Sequence, residues 1–359
     1  MKKIVLTGGG TAGHVTPNIA LLPALQAAGY EIAYVGSYEG IEKKLIADFN
    51  IPYTGISTGK FRRYLDPKNF SDPFRVMKGF VEARNYLKNY QPDVVFSKGG
   101  FVSVPVVRAA ASLHIPCIIH ESDMTPGLAN KLCIPVAEKV CCNFPETMKN
   151  IPADKAVLTG SPIRAELAQG SRLAGLNMCG FTANKPVIMV IGGSLGAANV
   201  NKAVRDALPK LLEDFQVVHL CGKDKIDNLL LNTPGYKQFE YIKAELKDIF
   251  AMADVVISRA GANAICELLA LKKPNILIPL PAASSRGVQL LNAASFEAQG
   301  YSIVLNEDDI TTNLLVDKVH ELYFNRQNYV EAMSRSHQMD AINTIMLLIN
   351  EAANKSHTQ

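Results

Sequence analysis

Ile4-Val5-Leu6-Thr7-Gly8-Gly9-Gly10-Thr11-Ala12-Gly13-His14 decides the reading of this chain, and Val187-Ile188-Met189-Val190-Ile191-Gly192-Gly193-Ser194-Leu195-Gly196 repeats its plan about half a chain later. Each stretch is a short apolar run closed by glycines and opening onto a helix-like segment. A strand that turns through glycines into a helix brings backbone N–H groups and the positive end of a helix dipole to one point, which suits phosphate. Two such turns in 359 residues, a length generous for one core, predict two α/β domains.

Working outward from the first turn, Ile4 to Thr7, Glu31 to Gly36, Val94 to Ser97, Cys117 to His120 and Lys139 to Cys142 read as strands, with helix patterns such as Asn18 to Ala28 and Pro105 to Leu113 between them. In the second half Val187 to Ile191, Gln216 to Leu220, Val255 to Ser258 and Asn275 to Pro279 repeat the scheme. Short apolar runs without alternation, separated by helices, mark strands buried on both faces of a parallel sheet. Two doubly wound sheets are expected, with their sites at the carboxyl ends of the strands. The Gly/Pro punctuation in Thr159-Gly160-Ser161-Pro162-Ile163-Arg164 sets the joint. It divides the chain into residues 1–160 and 161–339, with a final helix over 340–353 that is free to pack back on either half, the first included.

Composition narrows the function classes. A hydrophobic share of 48% and a charged share of 19% describe an ordinary globular protein. The seven cysteines include no C-x-x-C pair and read as buried thiols in a reducing compartment. No apolar run approaches the roughly 20 residues that span a bilayer, and the apolar segment before the first glycines is too short for a secretory signal. The expected location is cytoplasmic. The net charge of +4 is concentrated: Lys60 to Lys88 carries eight Lys/Arg against three acids. There Lys60, Phe61, Arg62, Arg63 and Tyr64, followed by Phe70, Phe74, Arg75, Met77, Lys78 and Phe80, interleave bases with aromatics. Such a surface can lie on an anionic membrane; a solvated helix with a buried aromatic face has the same composition. No nucleic-acid module accompanies the segment, so nucleic acid is not an expected partner.

Gly8-x-Gly10-x-x-Gly13 formally matches the dinucleotide fingerprint, but the second strand ends without its acid, the first being Glu39. His14, directly after the turn, is the candidate general base. In Ser258-Arg259-Ala260-Gly261-Ala262-Asn263-Ala264-Ile265-Cys266-Glu267, a second strand end passes through a glycine into a helix. With a diphosphate at that N-terminus, Glu267 lies about 8 Å along the helix, near the reach to a ribose diol. Lys98-Gly99-Gly100-Phe101 and His120-Glu121-Ser122-Asp123-Met124-Thr125-Pro126-Gly127 add further strand-end glycines. There is no P-loop, no D-x-D and no His cluster, so no protein-bound metal is expected.

Taken in order over nearly the whole chain, Gly9–His14, Ser97–Ser103, His120-Glu121, Pro126–Lys131, Gly192–Gly196 and Arg259–Gly261 resemble the MurG family of bacterial N-acetylglucosaminyltransferases. The resemblance implies a GT-B fold, two Rossmann-like domains facing across a cleft, the first binding acceptor and membrane and the second binding UDP-GlcNAc. It implies an inverting transfer of GlcNAc from UDP-GlcNAc to the C4 hydroxyl of undecaprenyl-diphospho-MurNAc-pentapeptide, in peptidoglycan synthesis. The implied location is peripheral, on the cytoplasmic face of the membrane, with no cofactor and with other cell-wall or division proteins as further partners.

Carried onto this chain, the donor contacts are Thr11, Ala12, Gly13, Asp123, Arg164, Ser194, Ile242, Ala262, Asn263, Ala264, Ile265, Cys266, Glu267 and Gln289. Three departures mark the pattern: Ala12 stands for a glycine, Ser122-Asp123 for Gln-Asn, and Val288-Gln289 for paired glutamines, so only Gln289 is carried over. His14 is the expected base, with Glu121 read as a structural partner in the site wall. Competing readings are a GT-B enzyme glycosylating another lipid, a UDP-GlcNAc 2-epimerase, and a non-enzymatic UDP-GlcNAc-binding scaffold.

Overall fold

The structure, a computed structural model, describes residues 1–59, 72–193, 197–282 and 287–356. The chain divides into two compact units: Met1–Arg164 together with the C-terminal stretch beginning at Asp340, and Ala165–Met339.

Unit 1 is built on a seven-stranded sheet in the order β3-β2-β1-β4-β5-β6-β7. The strands are β1 (Lys3–Thr7), β2 (Glu31–Ser37), β3 (Tyr53–Ile56), β4 (Val94–Ser97), β5 (Cys117–Glu121), β6 (Lys139–Cys142) and β7 (Ala156–Leu158). Every pairing is parallel. Ile4, Val5, Leu6, Val94, Val95, Phe96, Ile118 and Ile119 are fully buried, because helices cover both faces. On one face α3 (Asp72–Tyr90), α4 (Ser103–Ser112) and α5 (Leu128–Cys133) contribute Ala83, Leu87, Val106, Ala110 and Cys133 to the core. On the other, α1 (Thr16–Ala27) and the C-terminal helix Ala341–Ser356 bring Leu21, Leu25, Ile345 and Ile349 together. A short helix, α2 (Ile41–Ile46), follows β2.

Unit 2 carries a six-stranded parallel sheet, β10-β9-β8-β11-β12-β13. Its strands are β8 (Val187–Ile191), β9 (Gln216–Leu220), β10 (Tyr236–Phe239), β11 (Val255–Ser258), β12 (Asn275–Leu277) and β13 (Ser302–Val304). After α6 (Pro145–Met148) in unit 1, the helices continue as α7 (Arg172–Cys179), α8 (Ala198–Asp214), α9 (Leu246–Met252) and α10 (Ala262–Ala270). Val200, Val204, Leu208 and Leu211 of α8 pack with the strands in one core.

In each sheet the order reverses direction beside the first strand, between β1 and β4 and between β8 and β11. Doubly wound sheets bind ligands at that reversal, outside the carboxyl ends of the strands. Four of the five glycine-bearing strand ends named in the sequence follow just these strands, and the fifth, ending at Gly127, follows β5. Four strands that apolar runs did not reveal, β3, β7, β10 and β13, are the four sheet edges. There, one side of the strand lacks a neighbour and sequences such as Tyr236-Lys237-Gln238-Phe239 alternate instead of running apolar.

The turns after β1 and β4 meet backbone to backbone. Gly9 N donates to Gly99 O at 3.3 Å, and a Cβ on Gly100, whose φ is +87°, would stand 2.2 Å from Gly9 O. Gly100→Ala is therefore expected to destabilise unit 1 by about 2 kcal/mol or more. A lowered urea midpoint checks this, and an unchanged one contradicts the contact.

Candidate active site

The unit 1 site begins with the glycine turn. After β1 the chain does not pass straight into α1: a 3-10 turn, Ala12–His14, intervenes, with His14 N bonded to Thr11 O at 3.1 Å. His14 closes that 3-10 turn and is half-buried against it. His14 Nδ1 lies 3.1 Å from Gly9 O and 3.2 Å from Thr11 Oγ1. A carbonyl only accepts, so Nδ1 carries the proton and Nε2 keeps its lone pair. Burial and then the Lys98 charge hold the imidazole below its ordinary value, against smaller opposing effects of the Gly9 bond and Glu42. The ring is neutral at pH 7 and able to accept a proton at Nε2. Thr11 and Ala12 are exposed and Gly13 half-exposed.

The acid that the second strand lacked stands one helical turn later and does a different job. Glu42 of α2 is fully buried and accepts from Gly10 N at 3.1 Å, Ser37 N at 2.9 Å and Ser37 Oγ at 2.5 Å. Its carboxylate fills the space that a Cβ on Gly9 would need, 2.4 Å away. The carboxylate is turned onto the glycine loop instead of toward a ribose, so the dinucleotide reading gains no support. Burial alone would raise this carboxyl, but the Ser37 and Gly10 hydrogen bonds outweigh it and hold it below the ordinary value.

After β5, Glu121 is buried and accepts from Asp123 N (2.9 Å), Gly127 N (3.0 Å) and Asn130 Nδ2 (2.8 Å). These contacts shape the loop 122–127. Burial nonetheless raises the Glu121 carboxyl. Asp123 is half-buried and likewise raised by burial, with Lys98 opposing. Arg164, half-buried, closes unit 1.

In unit 2, β11 passes through Arg259-Ala260-Gly261 into α10. Gly261 is the N-cap in extended conformation, with no side chain to cap the first turn, and the ladder starts with Ile265 N on Gly261 O at 3.1 Å. The N–H groups of Ala262, Asn263 and Ala264 thus have no carbonyl within the helix. Arg259, 9% exposed, pairs with Glu307 and donates to Ile278 O at 3.0 Å, fixing the turn. Asn292 Nδ2 donates to Ala260 O at 3.1 Å.

Of the carried-over run 262–267, Ile265 and Cys266 have buried side chains, while Ala262, Asn263, Ala264 and Glu267 are half-exposed. Ile242 is also buried. Gln289 Oε1 accepts from Leu280 N at 3.1 Å, which orients its amide. Thr11, Ala12, Gly13, His14, Asp123 and Arg164 belong to unit 1, and Ile242, the α10 residues and Gln289 to unit 2. Ser194 lies outside the described residues, as do Lys60, Phe61, Arg62, Arg63 and Tyr64.

Among the described residues no group of three or more His, Cys, Asp or Glu gathers closely enough to hold a metal, and no helix is long and apolar enough to cross a membrane. All seven cysteines are buried. On α3, Phe80 is half-buried and Ala83 and Leu87 fully so, while Phe74 (79% exposed), Met77 (64%) and Val81 (50%) form a solvent-facing apolar stripe beside exposed Arg75 and Lys78.

Two family descriptions match: the glycosyltransferase family 28 N-terminal domain over residues 4–142 and the family 28 C-terminal domain over residues 187–346. A UDP-N-acetylglucosamine–N-acetylmuramyl-(pentapeptide) pyrophosphoryl-undecaprenol N-acetylglucosamine transferase of Lachnospira eligens is 64% identical over 351 residues, 98% of this chain and 99% of that one. Among solved structures, Acinetobacter baumannii MurG superimposes with a TM-score of 0.78 at 28% identity, covering 98% of this chain and 100% of that one. A UDP-GlcNAc 2-epimerase from Neisseria meningitidis, at 14% identity and a TM-score of 0.68 over 98% of this chain and 100% of that one, shares the fold alone.

Glu42→Gln is expected to destabilise unit 1 by about 1–3 kcal/mol at pH 7, since an amide nitrogen would face an N–H donor. A carboxyl held low in the folded state stabilises above the ordinary carboxylate range, and that contribution is lost as pH falls through its folded value. The gap between wild type and variant in urea midpoint should therefore narrow from pH 7 to pH 4; a constant gap contradicts the ionised carboxylate.

Proposed function

The chain belongs to glycosyltransferase family 28, among its N-acetylglucosamine transferases, and from that premise we propose that it transfers GlcNAc from UDP-GlcNAc to the C4 hydroxyl of undecaprenyl-diphospho-MurNAc-pentapeptide. The observation that carries the chemistry is His14, whose Nδ1 is occupied by Gly9 O while Nε2 is left to act as base. Inversion needs in-line attack by the acceptor hydroxyl on the anomeric carbon as UDP leaves. His14 Nε2 takes the hydroxyl proton. Negative charge growing on the departing diphosphate meets the first-turn N–H groups of α10, Arg164 and Ser194. Glu267, one and a half turns along α10, accepts from the ribose diol. The leaving group is supplied by the donor itself, so the proposal invokes no cofactor. Asp123, the turn Thr11-Ala12-Gly13, Ile242 and Gln289 complete the donor contacts, with Asp123 on the sugar. Ile265 and Cys266 act there through backbone alone, since their side chains are buried.

The acceptor is lipid-linked, and the apolar stripe Phe74, Met77, Val81 with Arg75 and Lys78 beside it supports docking on an anionic bilayer surface. The reading makes the protein peripheral, at the cytoplasmic face of the membrane, where it would meet other cell-wall and division proteins. The 64% identity favours transfer over epimerisation, which is represented only by fold-level likeness.

The test is transfer of labelled GlcNAc to a short-chain polyprenyl-diphospho-MurNAc-pentapeptide. Wild type should transfer only with acceptor present. His14→Ala should lower kcat by roughly 100-fold with little change in donor KM, and Glu267→Ala should raise donor KM tenfold or more. Donor consumed without acceptor, or His14→Ala at full rate, contradicts the proposal. For the membrane, Phe74→Ser with Met77→Ser should abolish co-sedimentation with anionic phosphatidylglycerol vesicles while soluble-acceptor turnover persists; undiminished sedimentation contradicts that surface.

A further inference from the structure

Lys98 is a lysine with 1% exposure at the carboxyl end of β4, where a methionine of similar length would fill the space without desolvating a charge. Its ammonium lies 2.7 Å from His120 Nδ1 and 2.6 Å from Ser122 Oγ. An ammonium only donates, so His120 Nδ1 accepts and its Nε2–H donates to Gly160 O at 2.9 Å. The backbone N of Lys98 donates to Thr7 O at 2.9 Å, tying the same residue to the end of β1. Lys98 thus ties the ends of β1 and β4 through its backbone and reaches the end of β5 through its side chain, while the His120 it holds carries the network on to Gly160. It fixes Ser122, the first residue of the loop that presents Asp123.

We infer that Lys98 is a positioning residue of the transfer, which holds the Ser122-Asp123 loop and places a fixed positive charge behind the His14 imidazole. The inference deepens the proposed function and rests on His14 as base. The groups around His14 are few. From α2 it faces Glu42, from the β4 end Lys98, and α1, the other element packed on its turn, carries no titratable residue. Glu42 favours imidazolium and Lys98 opposes it, and with burial the balance lies toward the neutral ring. The same charge favours the ionised form of Asp123. Removing it is expected to make His14 protonate at higher pH and to leave Asp123 harder to ionise.

The test compares wild type, Lys98→Met, Lys98→Gln and Ser122→Ala in the transfer assay from pH 5 to 9, with UDP affinity by calorimetry reporting on unit 2. Lys98→Met and Lys98→Gln should each lose at least tenfold in kcat at pH 7, move the acid limb of kcat/KM upward by about one pH unit, and bind UDP within twofold of wild type. Ser122→Ala, which keeps the charge and removes one anchor, should lower activity without moving the limb. An unmoved limb in both lysine variants overturns the inference, as does an equal shift in Ser122→Ala, which would make loop placement and not charge the agent. Loss of UDP binding in both lysine variants also overturns it, by marking Lys98 as a folding residue. His14→Ala separates the two readings. If it retains the acid limb, the base assignment fails, while a limb shifted by Lys98→Met still places the charge beside the group that titrates.

Discussion

Backbone meeting backbone at Gly9 and Gly100 is the contact on which the rest of the unit 1 site depends. A parallel sheet buried on both faces sends its strand ends to one edge, and the reversal of strand order puts the turns after β1 and β4 side by side. They close to the Gly9–Gly99 hydrogen bond because Gly100 carries no side chain, and the space beside Gly9 is taken by the Glu42 carboxylate. Glu42 then locks the outer turn from behind by accepting from Gly10 N, and His14 is fixed from the front by Gly9 O. The position of the His14 ring is a consequence of how closely two loops pack.

Charge is handled differently in the two units. Unit 1 buries Glu42 and Lys98 near one histidine, each held by hydrogen bonds, so the imidazole sits in a field set by groups with little freedom to move. Unit 2 buries its Arg259–Glu307 pair beneath the turn, where it braces the backbone, and leaves the helix N-terminus above it without a capping side chain. The first arrangement sets the field at the His14 imidazole and the second leaves the start of α10 without a side-chain cap. Unit 1 offsets the cost of buried charge with hydrogen bonds and unit 2 with an ion pair, and both put the consequence at a strand end.

Much of this was legible in the sequence, and what was missed follows from physics. The central strands were visible as unbroken apolar runs, while the edge strands were not: β3 and β10 mix polar residues into the run, and β7 and β13 are only three residues long. The glycine turns and His14 stood out by residue type and spacing. Glu42 gave no signal: a lone glutamate on a short helix looks like any solvated residue until the fold turns it inward. Lys98 was visible as part of a glycine motif, but its burial depends on β5 and on Gly160, far along the chain. Ile265 and Cys266 fall inside a run that spacing treats as uniform, yet helical geometry turns their side chains into the core.

Hydrogen exchange with and without UDP tests most directly the claim that the donor is held by the open first turn of α10. The account predicts slowed exchange of the amides from Ala262 to Ala264 on adding UDP, with the turn from Gly8 to His14 unaffected until the sugar is also present. Unchanged exchange at the start of α10 under saturating UDP, with protection arising in the unit 1 turn instead, would contradict it.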